Sequence, residues 1–570
     1  MSNDSTRDSA WDYRFDAVIV GSGGGGMLAA LCAHDMGQSV VVLEKADVYG
    51  GTTAISGGAV WVPCNHQIAA LGGKDDYDGA LTYLKAATRG MIAEARLRAY
   101  LDTAPRMVTY LEEKTRMRYR AMPGYSDYYP ELPGAMSGYR TMDPVPFDAA
   151  QLGDEFERLR APSPGTLIAG RVGMTAGEAH TILAKERGWM MLVIRRFARY
   201  WMDISWRRRT RRDRRLTLGN ALIGALRASL LDRKIPLWLN TSLERVLADT
   251  RHVTGVIAKR DGKEIRIAAN RGVILAAGGF EHNQSMRETY LPHPTNAEWT
   301  TTPPTNTGDA IRAGAEIGAK LDLMDLAWWA PTVFVPGREK RRALFVERAL
   351  PGCVMVNKLG RRFVDEAAPY SDIVTAMYAD HAASGANLPA WLIFDATFRH
   401  KYPCGPLLPG MIQKDASLPR DFDGKVFFRA DSLDALAART GIDAAGLMDT
   451  VGKMNTYAAS GVDAEFGKGG NTFDRYYGDI NVRPNPCLAP IVKAPFYALQ
   501  IDAGDIGTKG GLLTDEFARV VRDDGTPIAG LYACGNTSAA VMGPSYPGAG
   551  STIGPAMTFG FIAARHLAGV

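Results

Sequence analysis

At 570 residues, 46% of them apolar and 22% charged, the chain is longer than one average core needs and too ordinary in composition to be disordered, so two or more folded domains are expected. Six cysteines (Cys32, Cys64, Cys353, Cys404, Cys487 and Cys534) lie far apart with no C-x-x-C pair, which argues against a zinc site or any other metal centre, argues against a disulfide framework and fits a reducing cytosol. The net charge of +5 is local: ten arginines and two acids between Arg195 and Arg215 make that segment +8 and leave −3 for the rest, so general nucleic-acid binding is not implied.

The N-terminus, Met1 to Arg14, is polar and has no apolar signal core. No uninterrupted apolar run reaches the roughly 18 residues of a membrane span. A short buried strand, Ala17 to Val20, then feeds Gly21-Ser22-Gly23-Gly24-Gly25-Gly26, followed by a helix-compatible segment from Met27 and a second strand, Ser39 to Leu43, ending at Glu44. This is G-x-G-x-x-G in the strand–turn–helix context that gives it meaning. Gly21 permits the tight turn, Gly23 lets the backbone approach a pyrophosphate, and Gly26 lets helix and strand pack closely. Ser22 and Gly24 belong to the same loop, the helix N-terminus attracts phosphate, and Glu44 suits a ribose hydroxyl. The fold class is α/β, with a Rossmann-like dinucleotide-binding domain.

Lys45 opens a second loop carrying Gly50, Gly51, Thr52, Thr53, Ser56, Gly57 and Gly58. Glycines and hydroxyls at this density line a flat cofactor rather than build an ordinary helix. Glu-Lys-x(4)-Gly-Gly-x-(Ser/Thr)-x-x-Ser-Gly-Gly resembles the pattern of fumarate reductase-type flavoproteins. The resemblance implies FAD, and a non-covalent one, since no histidine occurs between His34 and His66, where the respiratory relatives attach theirs.

Residues 68–118 read as amphipathic helices. Met122 to Glu131 holds Tyr125, Tyr128 and Tyr129 between two prolines; it is either a surface turn or a rigid loop presenting phenols. Residues 162–216 read as an insertion. Within it Trp189, Met190, Val193, Phe197, Tyr200, Trp201 and Ile204 recur at helical spacing, and Arg207 to Arg215 follow. An apolar face with tryptophans beside arginines suits an anionic membrane surface, through the 189–215 segment. The alternatives are a helix packed on its own domain with a solvated basic tail and, less well supported, nucleic-acid binding.

Residues 219–285 return to the first domain: a helix from Ala221, a strand and turn through Val246, a hairpin at 253–268, and a buried strand from Gly272 that ends in Ala277 and Gly278. The middle, 295–490, changes texture and is the expected α+β catalytic domain. It contains Trp328 and Trp329, which either line a flat pocket or are core, and Asp365-Glu366-Ala-Ala-Pro369-Tyr370. Residues 491–570 come back, with Gly535 and Asn536 closing a last strand and Ser551, Thr552 and Ile553 leading into a helix through Pro555. The FAD-binding domain is thus expected to be discontinuous, 1–294 plus 491–570. In the fumarate reductase-type family Val246 holds the adenine by backbone contacts, Ala277, Gly278 and Asp309 come close to the flavin, and the final helix can aim amides at its pyrimidine.

Pro-Gly-Tyr-Ser-Asp-Tyr-Tyr-Pro-Glu (123–131), Asp-Glu-x-x-Pro-Tyr (365–370), Gly-Asp-x-Gly-Thr-Lys-Gly-Gly (504–511) and Tyr-Pro-Gly-x-Gly (546–550) together resemble the bacterial 3-ketosteroid Δ1-dehydrogenases. The resemblance implies Tyr370 as the base that removes the C2 proton, Tyr128 (rather than Tyr129) as its helper, and Tyr546 with the Gly550 amide as donors to the C3 oxygen. Hydride from C1 goes to the flavin, and electrons pass to a quinone or another acceptor. The Arg-rich insertion resembles a membrane-associated subset, which implies a cytoplasmic enzyme, peripheral on the inner face of the cell membrane. Ala549 and Ser551 depart from many Δ1 enzymes and resemble the Δ4-(5α)-dehydrogenase turn, which leaves 3-oxo-5α-steroid 4-dehydrogenase as the alternative. Thr508-Lys-Gly-Gly, where a dicarboxylate enzyme has His-x-x-Gly-Gly, speaks against fumarate-type chemistry.

Overall fold

The computed structural model describes residues 11–337 and 341–570; most of the polar N-terminal stretch lies outside them. The second half of strand β1 (Tyr13–Val20) is buried on both faces, as its unbroken Ala17–Val20 run requires of a strand covered by helices on each side. It leads into α1 (Gly24–Asp35), then β2 (Val40–Leu43), parallel to β1, then the short α2 (Gly51–Ile55) of the second glycine loop. The insertion contains the Ala176–Leu183 helix, started by a Thr175/Glu178 capping box, and α3 (Trp189–Met202). Its return strand, Arg215–Leu216, pairs with Phe147–Asp148.

The first sheet is completed by β3 (Leu237–Trp238), β4 (Thr241–Ala248), β5 (Val253–Arg260) and β6 (Lys263–Leu275), in the order β3-β2-β1-β6-β5-β4. The hairpin and the buried strand separated in the sequence are one element: β6 pairs antiparallel with β5 through 263–268 and parallel with β1 through 267–275.

The second sheet is antiparallel and built from β7 (Ala327–Val333), β8 (Arg342–Ala343), β9 (Cys353–Val356), β10 (Ala390–Phe394), β11 (Phe427–Ala430) and β12 (Phe496–Thr508). Its order is β8-β7-β12-β10-β9, with β11 also on β12. Helix α4 (Tyr370–Ser384) lies between β9 and β10 in the chain and packs on β7. The domain boundary expected at 490 is corrected here. β12 is the spine of the second sheet, so the chain goes back to the first only after Thr508, through β13 (Arg519–Val521) and β14 (Pro527–Ala533), the latter parallel to β6. The signal that misleads is the glycine-rich end of β12, which looks like cofactor-domain sequence while its apolar body pairs with β7 and β10.

The last helix, α5 (Ile553–Ala568), packs directly on α1. A Cβ on Gly25 would come within 2.6 Å of the Ala556 carbonyl oxygen, and one on Gly560 within 2.6 Å of the Gly25 oxygen. The two helices therefore meet backbone to backbone, which only glycine permits. This contact brings the C-terminus to the first glycine loop.

Candidate active site

A cavity of about 790 Å³ runs over the first sheet and down against the second. One end is formed by Glu44, Lys45, Thr241 and Leu243. Its middle is the loop of Gly21, Ser22, Gly23, Gly24 and Gly26 facing Gly51, Thr52 and Thr53; next come Ser56, Gly57, Gly58, Ala277, Gly278, Asp309, Gly535 and Asn536. The far end holds Tyr128, Tyr370, Tyr546, Gly550, Thr552 and Ile553.

Three residues expected at the cofactor stand off the cavity wall. Gly50 donates its amide to Ser22 Oγ (3.0 Å) from behind the loop. Val246 is core, paired with Val256, and its strand reaches the cavity earlier, at Thr241 and Leu243. Ser551 spends its hydroxyl inside its own turn, on the Gly548 carbonyl (2.7 Å) and amide (3.0 Å).

The loops are tied to one another. The Ser22 amide donates to Glu44 Oε2 (3.2 Å), as does the Ser22 hydroxyl, while Ala46 N holds Oε1 (2.9 Å). Gly24 N donates to Thr53 Oγ1 (3.2 Å), joining the two glycine loops. Asn306 Nδ2 donates to Thr52 Oγ1 (3.0 Å) and to buried Glu281 (2.6 Å), and Lys45 Nζ reaches Asp309 (2.7 Å) and Thr307 (2.8 Å). A flat dinucleotide fits this slot. An oriented carboxylate stands at one end, the N-terminus of a 12-residue helix faces the middle, and backbone with small side chains lines the ring end. Gly57 faces open space, with no atom within 4 Å of an added Cβ.

At the far end, loop 122–131 is no surface turn. Tyr125, Ser126, Asp127 and Tyr128 are all buried. Asp127 is the anchor: it accepts from Trp61 Nε1 (2.7 Å), Arg140 (2.7 Å) and Met136 N (2.9 Å). Arg140 also forms a pair with Asp75 (2.7 Å). Tyr128 is thereby set against both Tyr370 and Tyr546. Its ring stands edge-on to Tyr370 (centroids 6.0 Å) and stacks on Tyr546 (5.3 Å), while Tyr370 meets Tyr546 at 5.1 Å. Behind it, the Tyr125 and Tyr128 hydroxyls are 3.3 Å apart.

Tyr370 is the first residue of α4. The buried Arg348 guanidinium donates to the carbonyls of Glu366, Ala368 (2.8 Å), Leu344 (3.0 Å) and Phe345 (2.9 Å), which fixes the approach to that helix and sets Phe345 against the Tyr370 ring. Thr552 Oγ1 donates to the Tyr546 hydroxyl (3.1 Å), leaving the phenol proton free to be donated elsewhere. Gly550 has φ +100°, and a Cβ there would lie 2.5 Å from Val60 backbone atoms. Burial pushes the Tyr370 and Tyr128 phenols well above their usual value, so neither ionises unaided. Tyr546 is raised by burial and held back by Thr552, Tyr370 and the Gly550 amide.

The insertion departs from expectation. A single apolar face was expected on α3, but the helix has two. Trp189, Val193 and Phe197, spaced by four, line the cavity. Met190, Met191, Ile194, Trp201, Met202 and the adjoining Ile204 are exposed. Apolar residues on nearly all sides of its first half hid this division. Many of the arginines are engaged internally: Arg196 and Arg215 with Glu178, Arg214 with Asp148 (2.8 Å), Arg212 on the Phe156 ring (4.2 Å) and Arg207 on Tyr200 (3.9 Å). Arg195, Arg199, Arg208 and Arg211 are exposed.

Trp328 and Trp329 belong to the core and do not line the cavity; Trp328 supports Tyr546 edge-on at 5.2 Å. Residues without a motif complete the wall, among them Phe345, Phe473 and Tyr477. Only the three-dimensional fold brings these together.

Residues 16–553 match the FAD binding domain family. The 3-oxosteroid 1-dehydrogenase of Mycobacterium tuberculosis (strain ATCC 25618 / H37Rv) is 43% identical, over 97% of this chain and 98% of its own. That of Comamonas testosteroni is 40% identical, over 98% and 97%. The crystal structure of the 3-ketosteroid Δ1-dehydrogenase from Sterolibacterium denitrificans, in complex with 1,4-androstadiene-3,17-dione, superposes with a TM-score of 0.95 at 57% identity, covering 98% of this chain and 99% of that one. The chain belongs to the FAD-binding flavoprotein family that contains the 3-oxosteroid 1-dehydrogenases.

Proposed function

We propose that this protein is a flavin-dependent 3-oxosteroid 1-dehydrogenase, which desaturates the C1–C2 bond of 3-ketosteroids. The observation that carries the site assignment is the convergence of Tyr128, Tyr370 and Tyr546 beside Gly550 at the end of a dinucleotide cavity. Tyr546 and the Gly550 amide donate to the C3 oxygen, where negative charge develops as the C2 proton leaves. Tyr370, as the phenolate, takes that proton and becomes the neutral phenol; Tyr128, in contact with Tyr125, donates a hydrogen bond to the Tyr370 oxygen and stabilises the anionic form. FAD, when bound, accepts the hydride from C1. Electrons then leave to a quinone or another carrier.

FAD is held without a covalent bond. In support, no histidine lines the cavity among the described residues, and burial pushes the Cys534 thiol up to about 12, far from a reactive thiolate. The enzyme works in the cytoplasm, against the inner face of the membrane. Among the described residues no helix is long and apolar enough to cross a bilayer. What supports surface docking is the exposed crest Met190, Met191, Ile194, Trp201, Met202 and Ile204 beside the exposed arginines. The free state of all six cysteines fits a reducing compartment.

The test is product analysis. The yellow holoprotein is incubated with androst-4-ene-3,17-dione and a dye acceptor, and mass spectrometry should find a 1,4-dien-3-one lacking two hydrogens. Turnover confined to saturated 5α-3-ketosteroids, giving a 4-ene, would overturn the regiochemistry.

A further inference from the structure

Beneath the Tyr546 turn lies a buried cation, Lys509. Its side chain is fully buried, and among the described residues its ammonium makes no ion pair. It donates instead to the carbonyls of Gly543 (2.9 Å) and Ser545 (2.7 Å), and sits 4.3 Å from the centre of the Trp328 ring. A bare ammonium in such a place is costly, as the fall of its pKa to about 7 through desolvation shows. A hydrocarbon of the same length would fill the slot without that cost, but it would leave two buried carbonyls unpaired.

The geometry says what the cation grips. The Ser545 carbonyl and the Tyr546 amide are the two ends of one peptide unit. Lys509 holds the oxygen end; at the nitrogen end, Tyr546 N donates to the Tyr129 hydroxyl (3.3 Å). That hydroxyl in turn donates to Asp372 Oδ1 (3.2 Å), two residues after Tyr370 on α4. Tyr129 therefore touches both segments that carry the reacting phenols. Next door, Trp328 links the same lysine to the Tyr546 ring and donates to Asn536 Oδ1 (3.0 Å).

We propose that Lys509, Tyr129 and Asp372 form a clamp that fixes the Ser545–Tyr546 peptide relative to α4 and so sets the position of the Tyr546 hydroxyl against Tyr370. All three are positioning residues, acting through others. The inference rests on the desaturase reading above. The peptide is planar, so held at both ends it cannot rotate. Freed at one end, it lets the phenol drift by a fraction of an ångström to an ångström, enough to cost up to about a hundredfold in rate.

The experiment uses the full-length holoenzyme and the variants Lys509→Met, Tyr129→Phe and the double variant, assayed on androst-4-ene-3,17-dione with flavin content and thermal unfolding measured alongside. Each single variant should keep its flavin and its KM within about threefold while kcat falls about 10–100-fold. The double variant should fall no further than the worse single one, because both hold the same peptide. Wild-type kcat in both single variants, or strictly additive losses, overturns the clamp. If Lys509→Met does not fold, the cycle is run with Asp372→Asn and Tyr129→Phe, with the same two outcomes deciding. Absence of diene from the wild type refutes the desaturase reading instead, so the two failures are distinguishable.

Discussion

The Tyr128 ring lies on the Tyr546 ring with centroids 5.3 Å apart and planes 18° from parallel, so the proposed partner of the base and the proposed oxyanion donor pack as one unit. Removing the Tyr128 hydroxyl leaves that stack intact. Tyr128→Phe should therefore keep substrate binding and lose only the hydrogen bond that lowers the pKa of the Tyr370 phenol. Tyr370→Phe should lose about 10²–10⁴-fold in kcat with the flavin still bound, and Tyr128→Phe less than that. Stopped-flow bleaching of the flavin by steroid separates the two; an equal loss in both would show that Tyr128 does more than assist.

Tyr546→Phe removes the proposed donor to the C3 oxygen. Loss of one such donor costs about 10²–10³-fold in kcat. Thr552→Val should give a smaller loss of the same kind, since Thr552 only directs the Tyr546 proton by donating to its oxygen. Steady-state kinetics on both variants checks the order.

Gly550→Ala meets both steric and torsional obstacles. Its φ of +100° is outside the range side chains adopt readily, and the Val60–Trp61 backbone already fills the space. A cost of at least about 1–2 kcal/mol in stability is expected from the backbone alone, with turnover nearly abolished. Thermal unfolding and activity of the purified variant report both.

Arg140→Met tests the anchor of the phenol loop. Arg140 is paired with two buried carboxylates, Asp75 and Asp127. Breaking such a group by deleting the cation costs about 3–5 kcal/mol, and denaturant unfolding measures it. A neutral result would mean that loop 122–131 is held by its packing alone.

The surface proposal is tested by point changes, since deleting the whole insertion would also remove the cavity wall formed by Trp189, Val193 and Phe197. Ile194→Glu with Trp201→Glu and Ile204→Glu should abolish sedimentation with vesicles containing anionic lipid while turnover of a soluble short steroid persists. Phe197→Ala should do the reverse, raising KM without releasing the protein from the vesicles.

The glycine loops were legible because each is a local signal. Turn, close approach and helix N-terminus are all encoded within a dozen residues, and the cavity forms where they indicated. The phenols were visible only through family resemblance, since nothing local distinguishes Tyr370 from the other tyrosines. Lys509 and Tyr129 could not have been read, because their partners at 543–546 are distant in sequence and are mostly backbone atoms. The division of α3 into two apolar faces failed for another reason: periodicity reports that a side is apolar, not what covers it. Val246 shows the same gap, its strand touching the cavity at Thr241 and Leu243 instead.

Strand β12 carries one consequence for how this protein can change over time. It starts as the spine of the second sheet and ends, at Thr508, one residue before the lysine beneath the Tyr546 turn. Any recombination that imports a new second sheet whole must take β12 with it and brings Lys509 to the junction. The second sheet and the proposed support of the Tyr546 turn are therefore inherited together, and a chimera that keeps them matched has its crossover beyond that lysine.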